Sequence, residues 1–267
     1  MIQEADRLFR RYMQALGWLG DPGLFELVRT HVIKVPVENV SAILADKRAL
    51  PDVETFLDGI ANQDLGGNAF TNNGYFAELL RYLDYDVELL AADRDGVPFG
   101  HAVLQVLHEG RPHLVDVGLG APFYEPLPLD RLPLRIESGD WHYALEAHSD
   151  PGCYALTTTF QGGPASTFVI RPEPRKLSEF SAAIRDYLDP AGAALGRLRL
   201  TRIFTWGVAT IDNATVAITR HNETQRQALG DLDALAEAVE AELQLPRAPI
   251  REAVATLSRR GVDVFAS

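Results

Sequence analysis

The stretch "DLGGNAFTNNGYF", residues 64–76, joins a pair of glycines to a run rich in apolar residues. Glycine punctuates secondary structure, so the pair predicts a turn. The apolar side chains after it recur at helical spacing, which predicts a helix that begins just after the glycines. The apolar residues expected on this helix are Phe70, Phe76, Leu79, Leu80 and Leu83.

Helical patterns also precede this stretch. Residues 8–16 and 51–63 carry apolar side chains at helical spacing. In "DPGLFELVRTHVIKVP", residues 21–36, Asp21 is the predicted N-cap of another helix and Pro22 its first residue. The first third of the chain is therefore predicted to be mostly helical.

The pattern changes after residue 85. Short β-prone segments follow, separated by Gly, Pro and Asp turns, and they predict strands. These segments are "DVELLAADR" (86–94), "HAVLQVLHEG" (101–110), "HLVDVGL" (113–119), "CYALTTTF" (153–160) and "TFVIRPEP" (167–174). The second and third form a predicted hairpin that turns at Glu109-Gly110.

The last third is mixed. Residues 176–188 return to a helical pattern, and residues 202–220 predict a hairpin that turns at Asp212-Asn213. A strong amphipathic helix is predicted within residues 229–245, with a stripe formed by Leu232, Leu235, Val239 and Leu243. Helices, then strands, then both predict an α+β fold rather than regular βαβ alternation.

Composition and charge narrow the range of partners. The chain has 267 residues, of which 46% are hydrophobic and 23% charged, as in an ordinary globular protein. Its net charge of −12 argues against nucleic acid and anionic membranes, because basic surfaces bind both. The single cysteine, Cys153, cannot form an intramolecular disulfide. No apolar run reaches the roughly 18 residues that a membrane-spanning helix needs. The amino terminus lacks a signal-peptide pattern, so we expect a cytoplasmic protein.

His101 and Asp116 form a candidate catalytic pair. They lie on the two strands of the predicted hairpin, which brings them close. A carboxylate bonded to one ring nitrogen fixes the tautomer of a histidine and leaves the other nitrogen as a base. A helix amino terminus nearby would present the group to be activated, as in a Cys-His-Asp triad. A purely structural role stays open at this point, since each of these residues is common at turns and strand ends.

Four sequence motifs contain or flank this candidate catalytic pair. In chain order they are "VPVENV" (35–40), "DLGGNAFTNNGYFAELLRYLDYDVELLAADR" (64–94), "HAVLQV" (101–106) and "LVDVGLGAPFYEPLPL" (114–129). They resemble the V/I-P-F-E-N-L, R-G-G-x-C-x-E-x-N-x-x-F, catalytic-histidine and L-V-D-V-G-F-G motifs of the arylamine N-acetyltransferases and the related amide synthases of natural-product pathways. The resemblance covers nearly the whole chain.

The resemblance implies a fold in three segments. They are a helical bundle over residues 1–85, a β-barrel over residues 86–190 and an α/β lid over residues 191–267. The core is expected to be similar to that of the cysteine proteases.

The resemblance also implies a catalytic triad. In the family, an acyl-CoA or a carrier-bound thioester acylates a cysteine, and an amine then accepts the acyl group. Mapped by motif, His101 is the base, Asp116 orients it, and Ala69 occupies the nucleophile position. The expected partners are a small-molecule acyl donor and acceptor, with an acyl carrier protein as an alternative carrier of the donor. No metal and no tightly bound cofactor are expected.

The chain departs from the family motifs at the nucleophile. Alanine offers no nucleophile, so a covalent intermediate at Ala69 is chemically impossible. Leu65 stands where the family has Arg, Thr71 where it has Glu, and Val37 where it has Phe. Residues 181–204 lack the family's acyl-donor pattern, so the resemblance does not specify acetyl-CoA as the donor. These joint changes favour a divergent member that lacks the catalytic cysteine over an introduced Cys→Ala substitution.

Two functional hypotheses follow. In the first, the His101–Asp116 pair is the general base for acyl transfer, amide formation or cyclisation on a thioester or other activated acyl substrate. The candidate substrate-binding residues are then Asn68, Thr71, Val37 and Gly118. In the second, the chain is a pseudoenzyme that binds a small molecule or a protein partner. In both, Cys153 is expected to be a small buried residue rather than a replacement nucleophile.

Overall fold

Helices dominate the first third of the chain, as the apolar periodicity predicts. The computed structural model describes residues 2–45, 48–221 and 223–266. Its first elements are α1 (Ile2–Leu16), α2 (Leu24–Lys34), β1 (Val37–Glu38), α3 (Val40–Leu44), α4 (Val53–Gln63) and α5 (Ala69–Tyr82). Helix α5 therefore begins just after the glycine pair, where the sequence predicts it.

Helix α2 starts later than predicted. It begins at Leu24 with Gly23 as its N-cap, so the start predicted at Asp21 and Pro22 is wrong. The Glu26 carboxylate accepts a hydrogen bond from the Gly23 N–H at 2.6 Å. A glutamate three residues into a helix often closes the amino terminus in this way, and here it replaces the cap predicted at Asp21.

The middle of the chain forms an eight-stranded antiparallel sheet, curled into a half-barrel. Its strands are β2 (Asp86–Arg94), β3 (Val97–His108), β4 (Arg111–Val115), β5 (Leu127–Pro128), β6 (Leu134–Ser138), β7 (Trp141–Ala147), β8 (Tyr154–Phe160) and β9 (Ala165–Arg175). Their order is β5-β4-β3-β2-β9-β8-β7-β6. The predicted hairpin is confirmed, since β3 pairs with β4. The two residues that join these strands, Glu109 and Gly110, both have positive φ, as expected in a tight turn.

The last third combines helices with a second antiparallel sheet. Its elements are α6 (Ser181–Tyr187), β10 (Arg199–Phe204), β11 (Gly207–Asp212), β12 (Thr215–Arg220), β13 (Glu223–Ala228), α7 (Leu232–Ala241) and α8 (Ile250–Arg259). Asp212 pairs with Thr215, so the hairpin turns at Asn213-Ala214, one residue later than predicted. The predicted stripe packs in the core of this region through Leu232, Leu235, Val239 and Leu243. The α+β class is confirmed.

The first and last thirds share a sheet and a core. The second sheet has the order β1-β10-β11-β12-β13, and Val37 of β1 pairs with Thr201 of β10. Leu65, which precedes α5, is buried in the apolar core of the last third. The division of the chain at residues 85 and 190 stays a prediction.

Helix α5 lies against the eight-stranded sheet. Its buried Phe76, Leu79 and Leu80 share an apolar core with Ala102 and Leu104 of β3. This packing brings α5 to the strand that carries the candidate histidine. In the ranges that the structure describes, no helix has the length and apolarity needed to cross a membrane.

Candidate active site

The structure brings His101 and Asp116 into direct contact. His101 lies on β3 and Asp116 directly follows β4, and the register pairs Leu104 with Val115 between them. His101 Nε2 lies 2.6 Å from Asp116 Oδ2, and the two side chains are 2% and 0% exposed. A carboxylate oxygen accepts hydrogen bonds, so Nε2 is the donor and Nδ1 is the ring nitrogen left as an acceptor. The predicted proximity of the pair is therefore confirmed.

The second oxygen of Asp116 is held from two sides. Asp116 Oδ1 accepts hydrogen bonds from Asn73 Nδ2 at 2.8 Å and from the Gly118 N–H at 2.9 Å. Asn73 Nδ2 also donates to the Ala102 carbonyl at 2.7 Å, and its Oδ1 accepts from the Val117 N–H at 2.8 Å. Asn73 stands at the asparagine of the family motif R-G-G-x-C-x-E-x-N-x-x-F, but the sequence assigns it no role. The signal that could have pointed to its role is an amide four residues after position 69, on the same face of a helix.

Ala69 lies against the loop that carries Asp116. A Cβ placed on Gly118 would stand 2.6 Å from Ala69 Cα and 3.0 Å from Asn73 Nδ2. At distances this short, a side chain at residue 118 would force the start of α5 or the loop after β4 to shift. Gly118, a predicted substrate-binding residue, thus lies against Ala69 and also donates a hydrogen bond to the candidate carboxylate.

Asn68 and Thr71 bond to the start of α5. Asn68 Oδ1 caps the helix, because it accepts from the N–H groups of Phe70 at 3.0 Å and Thr71 at 3.1 Å. Thr71 Oγ1 donates to the Asn68 carbonyl at 3.0 Å. These two N–H groups are therefore occupied by the cap rather than open to a substrate oxyanion. A substrate-binding role for Asn68 and Thr71 stays a prediction.

Glu38 anchors the glycine turn before α5. Its carboxylate accepts from the Gly66 N–H at 3.2 Å and from the Ser41 N–H at 2.9 Å. Burial raises the pKa of the Glu38 carboxyl, although these hydrogen bonds oppose the shift. The neighbouring Val37 bridges to Gly67, and its side chain would stand 3.6 Å from a Cβ on Gly120. Val37 therefore packs beside the loop of the candidate site.

Comparison with known proteins shows the family to which this sequence belongs. A family model described as N-acetyltransferase matches residues 22–247. The chain belongs to the arylamine N-acetyltransferase family. An arylamine N-acetyltransferase of Mycolicibacterium smegmatis is 28% identical over 185 residues. That match covers 61% of this chain and 65% of the length of the relative.

Solved structures of arylamine N-acetyltransferases share the fold. The Mycobacterium abscessus enzyme aligns with a TM-score of 0.82 at 19% identity, over 97% of this chain and 96% of its own. The Mycobacterium marinum enzyme in complex with CoA aligns with a TM-score of 0.80 at 20% identity, over 97% of this chain and 100% of its own. The similarity shows that this chain shares their fold.

In this arylamine N-acetyltransferase family member, a cavity borders the start of α5. Its volume is about 800 Å³, and its walls include Leu50, Leu65, Asn68, Thr71 and Tyr187. Leu65 and Thr71 are the positions at which the motif resemblance predicts a departure from the family. The start of α5 therefore faces a space large enough for a small ligand.

Cys153 lies apart from this site. It is free, 7% exposed, and directly precedes β8, and burial raises the pKa of its thiol. The prediction that Cys153 is a small buried residue is confirmed. Among the residues that the structure describes, no three His, Cys, Asp or Glu side chains cluster as metal ligands.

Proposed function

We propose that the chain transfers an acyl group directly from a thioester to a small-molecule acceptor, with His101 as general base and Asp116 as its orienting carboxylate. The buried 2.6 Å contact between His101 Nε2 and Asp116 Oδ2 is the observation that supports this proposal. It leaves Nδ1 of His101 to accept a proton. Membership of an acyl-transferring family supplies the reaction class.

The proposed step needs no enzyme nucleophile. An acceptor amine attacks the thioester carbonyl, so a C–N bond forms and the C–S bond breaks. His101 Nδ1 takes the amine proton and returns it to the departing thiolate, which leaves an amide and a thiol. Holding donor and acceptor together supplies the effective concentration that makes a direct transfer fast. The methyl group of Ala69 is compatible with this route because it takes no part in it.

The proposed donor is an acyl-CoA or a thioester on a carrier protein. The Mycobacterium marinum relative forms a complex with CoA, which supports a thioester of this kind. A linear acceptor would give amide formation, and an amine on the acyl chain itself would give cyclisation. Either product fits biosynthesis of a natural product in the cytoplasm.

Thiol release in the presence of amines tests this function. The purified protein is mixed with acyl-CoA donors of different chain length and a panel of aryl and alkyl amines. We expect His101→Ala to lower the rate of thiol release by roughly 10²- to 10⁴-fold, the usual contribution of a general base. His142→Ala, at an exposed histidine on β7, serves as the matched control and should keep the parent rate.

Two outcomes would overturn direct transfer by this pair. One is an unchanged rate in His101→Ala. The other is an acyl adduct on Cys153 or Thr71, seen in the intact mass of the protein after exposure to donor alone. Either would move the chemistry away from the buried dyad.

A second candidate function is ligand binding without catalysis. The cavity beside Leu65 and Thr71 favours it, since the residues that depart from the family motif line a space of about 800 Å³. In this case native mass spectrometry should find a small molecule retained by the protein, with no thiol released from any donor. Ala49→Trp, at an exposed residue on the cavity wall, should abolish that retention.

A further inference from the structure

The side chain of Asn73 contacts the backbone next to both members of the dyad. Its Nδ2 donates to the carbonyl of Ala102, which follows His101, at 2.7 Å. Its Oδ1 accepts from the N–H of Val117, which follows Asp116, at 2.8 Å. Nδ2 also donates to the Asp116 carboxylate at 2.8 Å. One fully buried amide thus joins α5 to β3 and to the loop that directly follows β4.

We propose that Asn73 is a positioning residue, which sets the orientation of the His101–Asp116 pair and aligns residue 69 of α5 with it. The proposal rests on the proposed function in one respect, the role as base that it gives to His101. Asn73 itself touches no reacting atom and acts through Asp116.

The hydrogen bonds allow one orientation of this amide. The oxygen must face the Val117 N–H, and the NH2 group must face the two oxygens on its other side. A flipped amide would set oxygen against oxygen and NH2 against N–H. The fixed amide therefore presents a donor to Asp116 Oδ1, and Asp116 Oδ2 stays turned toward His101.

The same bonds set the register of α5. Residues 69 and 73 are four apart on one helix, so their side chains lie on the same face. Holding Asn73 against the hairpin fixes the direction of whatever side chain stands at residue 69. The close approach of Gly118 to Ala69 Cα agrees with this alignment.

A thiol introduced at residue 69 reports on the alignment. In an Ala69→Cys, Cys153→Ala background, the rate of alkylation by iodoacetamide is followed against pH. With the dyad aligned, we expect a thiolate at pH values well below the roughly 8.5 of a free cysteine. Adding Asn73→Ala should move the profile back toward that value and slow alkylation at pH 7 by about ten- to a hundredfold.

Asn72→Ala is the matched control. Asn72 lies on the same helix and is equally buried, but its Nδ2 donates to the Gly67 carbonyl at 3.3 Å and not to the dyad. Its loss should leave the alkylation profile at the parent position. If Asn73→Ala and Asn72→Ala give the same profile, Asn73 is a structural residue and the proposal is wrong.

A measurement on the unsubstituted chain keeps the test independent of any variant's folding. Nitrogen NMR should find the His101 ring protonated at Nε2, and the side-chain amide protons of Asn73 should exchange slowly with water. Protonation of the neutral ring at Nδ1 instead of Nε2, or rapid amide exchange, would overturn the proposal. Neither readout involves acyl transfer, so failure to consume any thioester would reject the proposed function and leave the role of Asn73 standing.

Discussion

Gly118 allows two backbone segments to approach each other more closely than any side chain permits. The start of α5 and the loop after β4 meet at this residue, where an added Cβ would lie 2.6 Å from Ala69 Cα. The N–H of Gly118 simultaneously donates to Asp116. The site therefore needs a glycine at residue 118, because the lack of a side chain there lets the start of α5 approach the loop that carries Asp116.

Gly118→Ala should destabilise the fold by about 1–3 kcal/mol, the usual cost of forcing an extra carbon into a packed region. Gly230→Ala is the control, because a Cβ on Gly230 meets nothing within 4 Å. That change should stay within about 0.5 kcal/mol of the parent. Urea unfolding measures both, and equal effects at the two glycines would contradict the close approach.

At the scale of elements, a buried tyrosine–histidine pair joins the first two helices. Tyr12 of α1 and His31 of α2 share a hydrogen bond of 2.9 Å, and the His31 ring packs on Phe76 of α5 at 4.9 Å between centroids. Burial lowers the pKa of His31 to about 3. The three helices therefore pack around an uncharged imidazole.

The lowered pKa of His31 makes the free energy of unfolding depend on pH. Below about pH 6.5 the unfolded chain protonates His31 while the folded chain does not, so stability falls as the pH drops from 6.5 toward 3. His31→Gln should flatten the fall by up to about 1.4 kcal/mol per pH unit. Urea unfolding at a series of pH values checks this, with His142→Gln as the exposed control. An unchanged slope in His31→Gln would show that folding does not lower the pKa of His31.

Prediction from sequence succeeded where the pattern is local. The bounds of β2 are those of the segment 86–94, because apolar β-prone residues there are followed by a turn at Asp95-Gly96. The sequence does not predict strand β13, since it is an edge strand of mostly exposed polar residues with no apolar alternation. The role of Asn73 also escapes the pattern, because its partners lie 29 and more positions away in the chain. Position 69, Asn73 and the dyad can be located by motif, whereas the hydrogen bonds through which Asn73 joins the other two require the fold.

At the scale of the whole molecule, Asn39 fastens the first third to the last. Its Nδ2 donates to the carbonyls of Ala194 at 2.8 Å and Arg197 at 2.7 Å, and its Oδ1 accepts from the Arg199 N–H at 2.8 Å. These partners are 155 to 160 residues away in the chain. The connection stands beside the pairing of β1 with β10, so the two regions are held as one body.

Asn39→Ala should lower the free energy of unfolding by about 2–4 kcal/mol, because it leaves three part-buried backbone groups without their side-chain partner. Asn62→Ala is the control, since Asn62 is exposed on α4 and makes one long contact with Asp58 at 3.5 Å. Urea unfolding followed by both circular dichroism and tryptophan fluorescence is the measurement. If Asn39→Ala lowers the free energy of unfolding by less than about 1 kcal/mol, the pairing of β1 with β10 holds the two regions together without the Asn39 side chain.

The hydrogen bonds that hold Asp116 come from His101, Asn73 and the backbone of Gly118. The side chain of residue 69 supplies none of them. The assembly of the dyad therefore does not depend on the chemistry of that side chain. Another small side chain at residue 69 should leave the His101–Asp116 pair assembled, so the reactivity of residue 69 can change while the architecture around it stays the same.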